Sequence, residues 1–329
     1  MRGKVLKAAA WIVTVGILAY LFWRTPFSQV WTAARAAAPW TLPVGLLLFG
    51  CIYAADSFAM WKTFGWFLAR FSFGQILLVR GATYLLAAIN YNVGQGAIVY
   101  FVNRAKGVPI LRGVATVLLI MGVNMLALLF LASGGLLAAP DAPHSLGVII
   151  AVAYAGLAIY VGVVIAKPRW LAGRPIFDVL LSAGLRGHLK ALAVRLPHIA
   201  ALVAFQTTML RAFGVAVPIA QAIVCLPVVF FVSVLPISVQ GLGTSQAMMM
   251  FFFSRYAPGD RSGQDAAVLA ASLVGQFIAF GCQVLIGLGC LRSRAGRELR
   301  TASQVASSQP ANTAAAPAAT SFDAGADRR

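Results

Sequence analysis

Two segments of this chain place amides, hydroxyls and glycines inside otherwise apolar sequence. The first reads Asn90-Tyr91-Asn92-Val93-Gly94-Gln95-Gly96. The second reads Pro236-Ile237-Ser238-Val239-Gln240-Gly241-Leu242-Gly243-Thr244-Ser245-Gln246. A Gly-x-Gly at the start of a half-helix lets backbone N–H groups approach a ligand closely, and the partial positive charge there suits a phosphate or carboxylate. The candidate contacts are therefore Asn90, Asn92, Gly94, Gln95 and Gly96 in one segment, and Pro236, Gln240, Gly241, Gly243 and Gln246 in the other. The alternative is a tight turn without a ligand. Pattern alone does not decide, because a third Gly-x-Gly, Gly287-Leu288-Gly289, lies in an ordinary apolar run.

Ionisable side chains inside apolar runs are the second chemical signal, since they usually face an interior or a partner. Asp56 precedes Lys62 by about 9 Å of helix, and Arg80 lies about as deep in the segment that follows, at 1.5 Å per residue. Equal depth from one face predicts an Asp56–Arg80 ion pair, which either braces the helices or gates a path. Arg211 falls near the outer end of an apolar run, where it can snorkel. Asn124, mid-run, predicts a bond to a neighbouring helix.

Enzyme chemistry has little to stand on. The chain carries no Walker A, HExxH or GxSxG motif, and His144, His188 and His198 are scattered. Of its eight acids only Asp56 lies inside the apolar sequence, so a paired-carboxylate site is absent. Cys51, Cys225, Cys282 and Cys290 all fall in apolar runs without metal-binding spacing, and read as small buried side chains. Neither a metal nor a cofactor is expected. Any transport would be passive, gradient-coupled or driven by a partner.

The elements that must position these residues are membrane helices. The sequence is 60% hydrophobic and 10% charged, with a mean hydropathy of +0.86, which excludes a soluble globular domain. The net charge of +18 is spread between hydrophobic runs, so it reads as positive-inside anchoring and attraction to anionic lipid, and not as a nucleic-acid surface. Spans are expected at residues 8–23, 40–61, 113–131, 146–166, 197–213 and 266–291, and the stretches 73–112 and 216–254 contain the two breaks. The first run follows Arg2, Lys4 and Lys7 like a signal peptide. Its length favours an uncleaved span.

Orientation follows from Lys and Arg. Lys62 and Arg70, the link 167–196 (Lys167, Arg169, Arg174, Arg186, Lys190 and Arg195 against Asp178), and Arg292, Arg294, Arg297 and Arg300 belong in the cytoplasm. The loop 133–145 holds Asp141 and His144 without Lys or Arg, and belongs outside. Arg104, Lys106 and Arg112 then fall inside only if 73–112 enters and leaves on one side. The expected fold is thus an all-α polytopic membrane protein of about six spans and two re-entrant hairpins, both termini cytoplasmic. Residues 1–133 and 134–291 would form an inverted repeat. A plain eight-span bundle is the alternative. The link 167–196 reads as amphipathic helix on the cytoplasmic leaflet, and 292–329 as a disordered tail.

At the two glycine segments the chain resembles the flippase-like integral membrane family that includes the membrane region of bacterial lysylphosphatidylglycerol synthase. The similarity covers roughly residues 4–291. The more specific element is Pro236 through Gly241, Gly243 and Gln246, matching a P-x-x-x-G-G-x-G-x-x-E pattern. The looser one is Asn90 to Gly96 followed by Asn103, Arg104, Lys106, Gly107 and Pro109. The resemblance implies a bacterial inner-membrane protein that moves polar lipids between leaflets. Membrane lipids would be its partners, and relatives handle aminoacylated phosphatidylglycerol or accompany hopanoid and glycosyl-lipid pathways. No soluble aminoacyl-transferase domain accompanies this sequence, so lipid aminoacylation is not expected. Gln246 stands where the family often has Glu, and Gln95 lies near the other acidic position, which favours an anionic or sugar headgroup over a cationic one. Two other functions compete: an accessory subunit that docks a lipid-modifying enzyme through 167–196, and an integral membrane transferase.

Overall fold

Long apolar runs become long helices here. The computed structural model describes residues 2–89, 91–138, 144–234, 238 and 241–293, and its regular secondary structure there is entirely helical. In order, the helices are α1 (Arg2–Arg24), α2 (Phe27–Arg35), α3 (Thr41–Phe67), α4 (Phe73–Ile89), α5 (Tyr91–Lys106) and α6 (Ile110–Ala138). They continue with α7 (His144–Ala166), α8 (Arg169–Ala172), α9 (Pro175–Ala212), α10 (Ile219–Val234), α11 (Thr244–Phe253) and α12 (Arg261–Arg292). Four are long and apolar enough to cross a membrane: α3, α6, α9 and α12. Shorter apolar stretches lie in α1, α4, α7 and α10. The chain is an all-α membrane protein.

Packing exchanges partners between the two halves. α3 crosses α9, α4 of the first half lies along α12 of the second, and α10 of the second half lies along α6 of the first. Hydrocarbon gives helices no solvent-driven reason to associate, so close fit must do it, and small residues let backbones approach. The α4–α12 seam shows this. A Cβ on Gly81 would sit 2.3 Å from Cys290 Sγ, and one on Gly287 would sit 3.0 Å from Leu85 Cβ. Around the α3–α9 crossing, Phe49, Ile52, Phe205 and Met209 form a buried cluster with Tyr84 and Cys282.

The second glycine segment separates α10 from α11, and the first begins at the α4–α5 junction with Gly94 and Gly96 inside α5; the helices of each pair lie against each other. These arms hold 17, 16, 16 and 10 residues. At 1.5 Å per residue that is about 25, 24, 24 and 15 Å, below the roughly 30 Å of a bilayer core.

Two features depart from the sequence reading. The surface link expected to end at residue 196 does not. Gly184 turns with φ 55° and ψ −175°, a region open essentially to glycine alone, and from 185 to 212 a single helix runs on through Pro197. Residues 185–196 of the supposed link therefore belong to a long helix whose inner face packs on α6 through Ala191, Leu192 and Ile199. The other departure is α2, which the hydropathy pattern does not mark. It buries Val30, exposes Phe27 and Trp31, and packs along α12, as befits an aromatic element at a membrane interface. Most of the expected tail, from residue 294 on, lies outside the described residues.

Candidate functional site

Three helices meet at one carboxylate, and a fourth joins through one of its arginines. Asp56 of α3 is 1% exposed, and its Oδ2 accepts from Arg80 Nε of α4 at 2.5 Å, so the pair read from helix depth is present. Its Oδ1 accepts from Arg195 Nη1 of α9. Tyr84, one turn beyond Arg80, donates its hydroxyl to Oδ2 at 3.4 Å, and the Arg80 guanidinium lies 4.9 Å from the Tyr84 ring centroid. Arg195 Nε donates to Asn124 Oδ1 of α6 at 3.0 Å, and His198 Nδ1 donates to the Ile52 carbonyl at 3.3 Å. Arg80 and Arg195 are each 8% exposed. Stripping water from three charges costs several kcal/mol per ion, and only such multiple pairing returns it. The arrangement is an electrostatic clamp between α3–α4 of the first half and α9 of the second.

Arg195 is the residue that the sequence reading misplaced, as a cytoplasmic loop charge. A signal for it exists in the spacing. His188, Leu192, Arg195 and Ile199 recur at +4, +3 and +4, which puts Arg195 in the middle of the apolar stripe of α9, whereas Arg186 and Lys190 fall on the opposite face. Arg211 lies at the far end of the same helix, exposed, about 24 Å from Arg195 at 1.5 Å per residue, and does not join the clamp.

Residues 241–246 of the second glycine segment form a tight turn into α11. Gly241 and Gly243 have φ of 70° and 87°, conformations that side chains with a Cβ resist. Gln246, 1% exposed, reaches back so that its Oε1 accepts the Gly243 N–H at 2.7 Å and caps α11. Ser245 Oγ donates to the Gly241 carbonyl at 2.7 Å, and Ser238 and Thr244 hydroxyls share a hydrogen bond of 2.8 Å. α1 lies over this turn, with Ile17 3.2 Å from where a Gly243 Cβ would be. Gln246 thus spends its carbonyl on the backbone. Pro236 and Gln240 lie outside the described residues.

The first segment closes differently. Gly94 is buried in the first turns of α5, and a Cβ there would sit 2.6 Å from Ala87 Cβ of α4. Gly96 faces open space with nothing within 4 Å, Gln95 is half-buried and Val93 is exposed. Asn92 contributes its backbone to α5, and Asn90 lies outside the described residues.

A separate apolar cavity of about 340 Å³ lies between α6, α7, α9 and α10. Tyr160 and His188 stand in its wall, joined by a hydrogen bond of 2.6 Å between the hydroxyl and Nε2. The Gly184 carbonyl, 2.7 Å from Nδ1, can only accept, so Nδ1 carries a proton and Nε2 is the atom that shares the bond with the Tyr160 hydroxyl. The kink at Gly184 therefore orients His188. No protein-family model matches the chain, and no curated protein matches it.

Proposed function

We propose that this protein is a lipid translocator of the bacterial inner membrane, with six spanning helices, two re-entrant hairpins and both termini in the cytoplasm. Its substrates are polar lipids with anionic or glycosylated headgroups. The observation that carries this reading is the reciprocal seating of the two broken hairpins, α4 on α12 and α10 on α6, each with arms shorter than a bilayer core. Exchanging α3, α4, α5 and α6 for α9, α10, α11 and α12 preserves that partner pattern, as an inverted repeat would. Broken helices inside a membrane are tolerated where protein buries them or a polar path receives them. In this reading the open first hairpin tip, at Gln95 and Gly96, meets the headgroup while the chains stay in lipid. The buried second tip forms the fixed wall, and the Asp56 clamp joins the halves. The resemblance carried by residues 236–246 points to the same substrate class.

The test is leaflet exchange of fluorescent lipids with different headgroups in liposomes holding the purified protein, beside Gly96→Leu. That glycine has room for a side chain, so the variant adds bulk at the tip without a clash. Exchange by the native chain that Gly96→Leu slows at least tenfold, about 1.4 kcal/mol, supports translocation. Absence of exchange for every lipid would refute it.

The second reading is an accessory subunit for a lipid-modifying enzyme. It is favoured by Arg186 and Lys190, which α9 leaves exposed. Charge reversal at both would then abolish partner binding and leave lipid exchange unaffected.

A further inference from the structure

The cavity between α6, α7, α9 and α10 lies apart from both the Asp56 clamp and the hairpin tips. Among its lining residues only Tyr160 and His188 carry polar side chains, and the rest of the wall is apolar, with Met125, Leu129, Leu157 and Phe231 prominent. Its volume lies within the range of small-ligand pockets. The wall is recessed at two glycines, Gly122 on α6 and Gly156 on α7, where an added Cβ meets nothing within 4 Å. Along the same helix α7 exposes Val152 and Ile159, so the cavity borders the face that lipid chains touch.

The polar end has a charge sign. Lys167 and Arg169, at the end of α7 and the start of α8, are exposed. Tyr160 lies about 9 Å from the end of α7 at 1.5 Å per residue. Cations at that end attract anionic lipids.

We infer that this cavity holds one acyl chain of an anionic lipid, with the Tyr160–His188 pair at the chain's polar end and Lys167 and Arg169 toward the headgroup. The inference rests on the reading that the protein handles lipid, and it adds where a chain sits and which headgroup charge is preferred.

The experiment is photolabelling of the full chain in vesicles. The probes are phosphatidylglycerol and phosphatidylcholine carrying the same diazirine acyl chain, and the labelled residues are mapped by mass spectrometry. Label should concentrate on Met125, Leu129, Leu157 and Phe231. Gly122→Leu/Gly156→Leu fills the recess and should lower that label about tenfold, the worth of two buried methylenes. Gly156→Leu alone should lower it less and guards against a double variant that fails to fold. Phosphatidylglycerol should label about fivefold more than phosphatidylcholine, the worth of one surface cation beside an anionic lipid. Label spread evenly over outward residues such as Val152 and Ile159, and unchanged by filling, would show boundary lipid only and overturn the site. Equal labelling by both headgroups would overturn the anionic assignment. Labelling reads occupancy and not movement. A protein that labels as expected but exchanges no lipid would refute translocation and leave the chain site intact.

Discussion

The two hairpins share a sequence signature and are built on different physics. In both, a glycine after the break presses on a small residue of the incoming helix, Gly94 on Ala87 and Gly241 on Ser233. Beyond that they diverge. The first hairpin is anchored by charge, through Arg80 on Asp56, and by the glycine seam that α4 makes with α12. Its tip carries its glycines inside helix α5, half open at Gln95 and Gly96. The second hairpin is anchored by apolar packing, with Val224, Leu226 and Val229 of α10 at most 1% exposed, and its tip needs glycines in left-handed conformations under a glutamine cap. One motif therefore does two jobs. At the first site glycine supplies space between helices, and at the second it supplies backbone angles.

This contrast can be broken most severely at Asp56. Asp56→Ala leaves two buried guanidiniums without their carboxylate and should cost about 3–5 kcal/mol, read as a fall in thermal stability in detergent. Hydrogen exchange should rise first in α4 and α5. Equal loosening of α10 and α11 would erase the distinction between a charge-anchored and an apolar-anchored hairpin. Next comes Gly241→Ala, which combines left-handed strain with a Cβ 2.8 Å from Ser233 Cβ. A loss of about 2–4 kcal/mol is expected in the same melt. Gln246→Ala removes the cap acceptor of α11 and should cost about 1–2 kcal/mol, with faster exchange at the Gly243 amide. The smallest effect has the opposite sign. Gly96→Ala, in helix and in open space, should stabilise by about 0.5–1 kcal/mol. A destabilising Gly96→Ala would mean that the first tip also depends on special backbone angles, and the two hairpins would be alike after all.

The Asp56–Arg80 pair was legible because depth along a helix is a linear count from a known face. Arg195 was not, because counting every cation beyond an apolar run as cytoplasmic ignores which face of the helix it occupies. Its partners lie 71 and 139 residues away in sequence. The second Gly-x-Gly string lies at its break and the first lies inside α5, and the sequence could not reveal that φ is positive at Gly241 and Gly243, since a glycine looks the same in either role. Gln246 drew attention as a ligand contact. The capping bond it makes spans only three residues, and a turn–glycine–x–x–glutamine reading of the helix start would have offered that role. The Tyr160–His188 pair is wholly tertiary: an apolar run supplies one partner and a basic segment the other.

The crossed seating of the hairpins also sets the order in which the protein can be made. α4 finds its final seat only when α12 has been synthesised, about 200 residues later, which at typical rates of about 5–20 residues per second is roughly 10–40 seconds. Through that interval the first hairpin must wait beside the insertion machinery or in lipid without the helix that will hold it. A chain built this way matures late and all at once, and its first half has no finished state of its own.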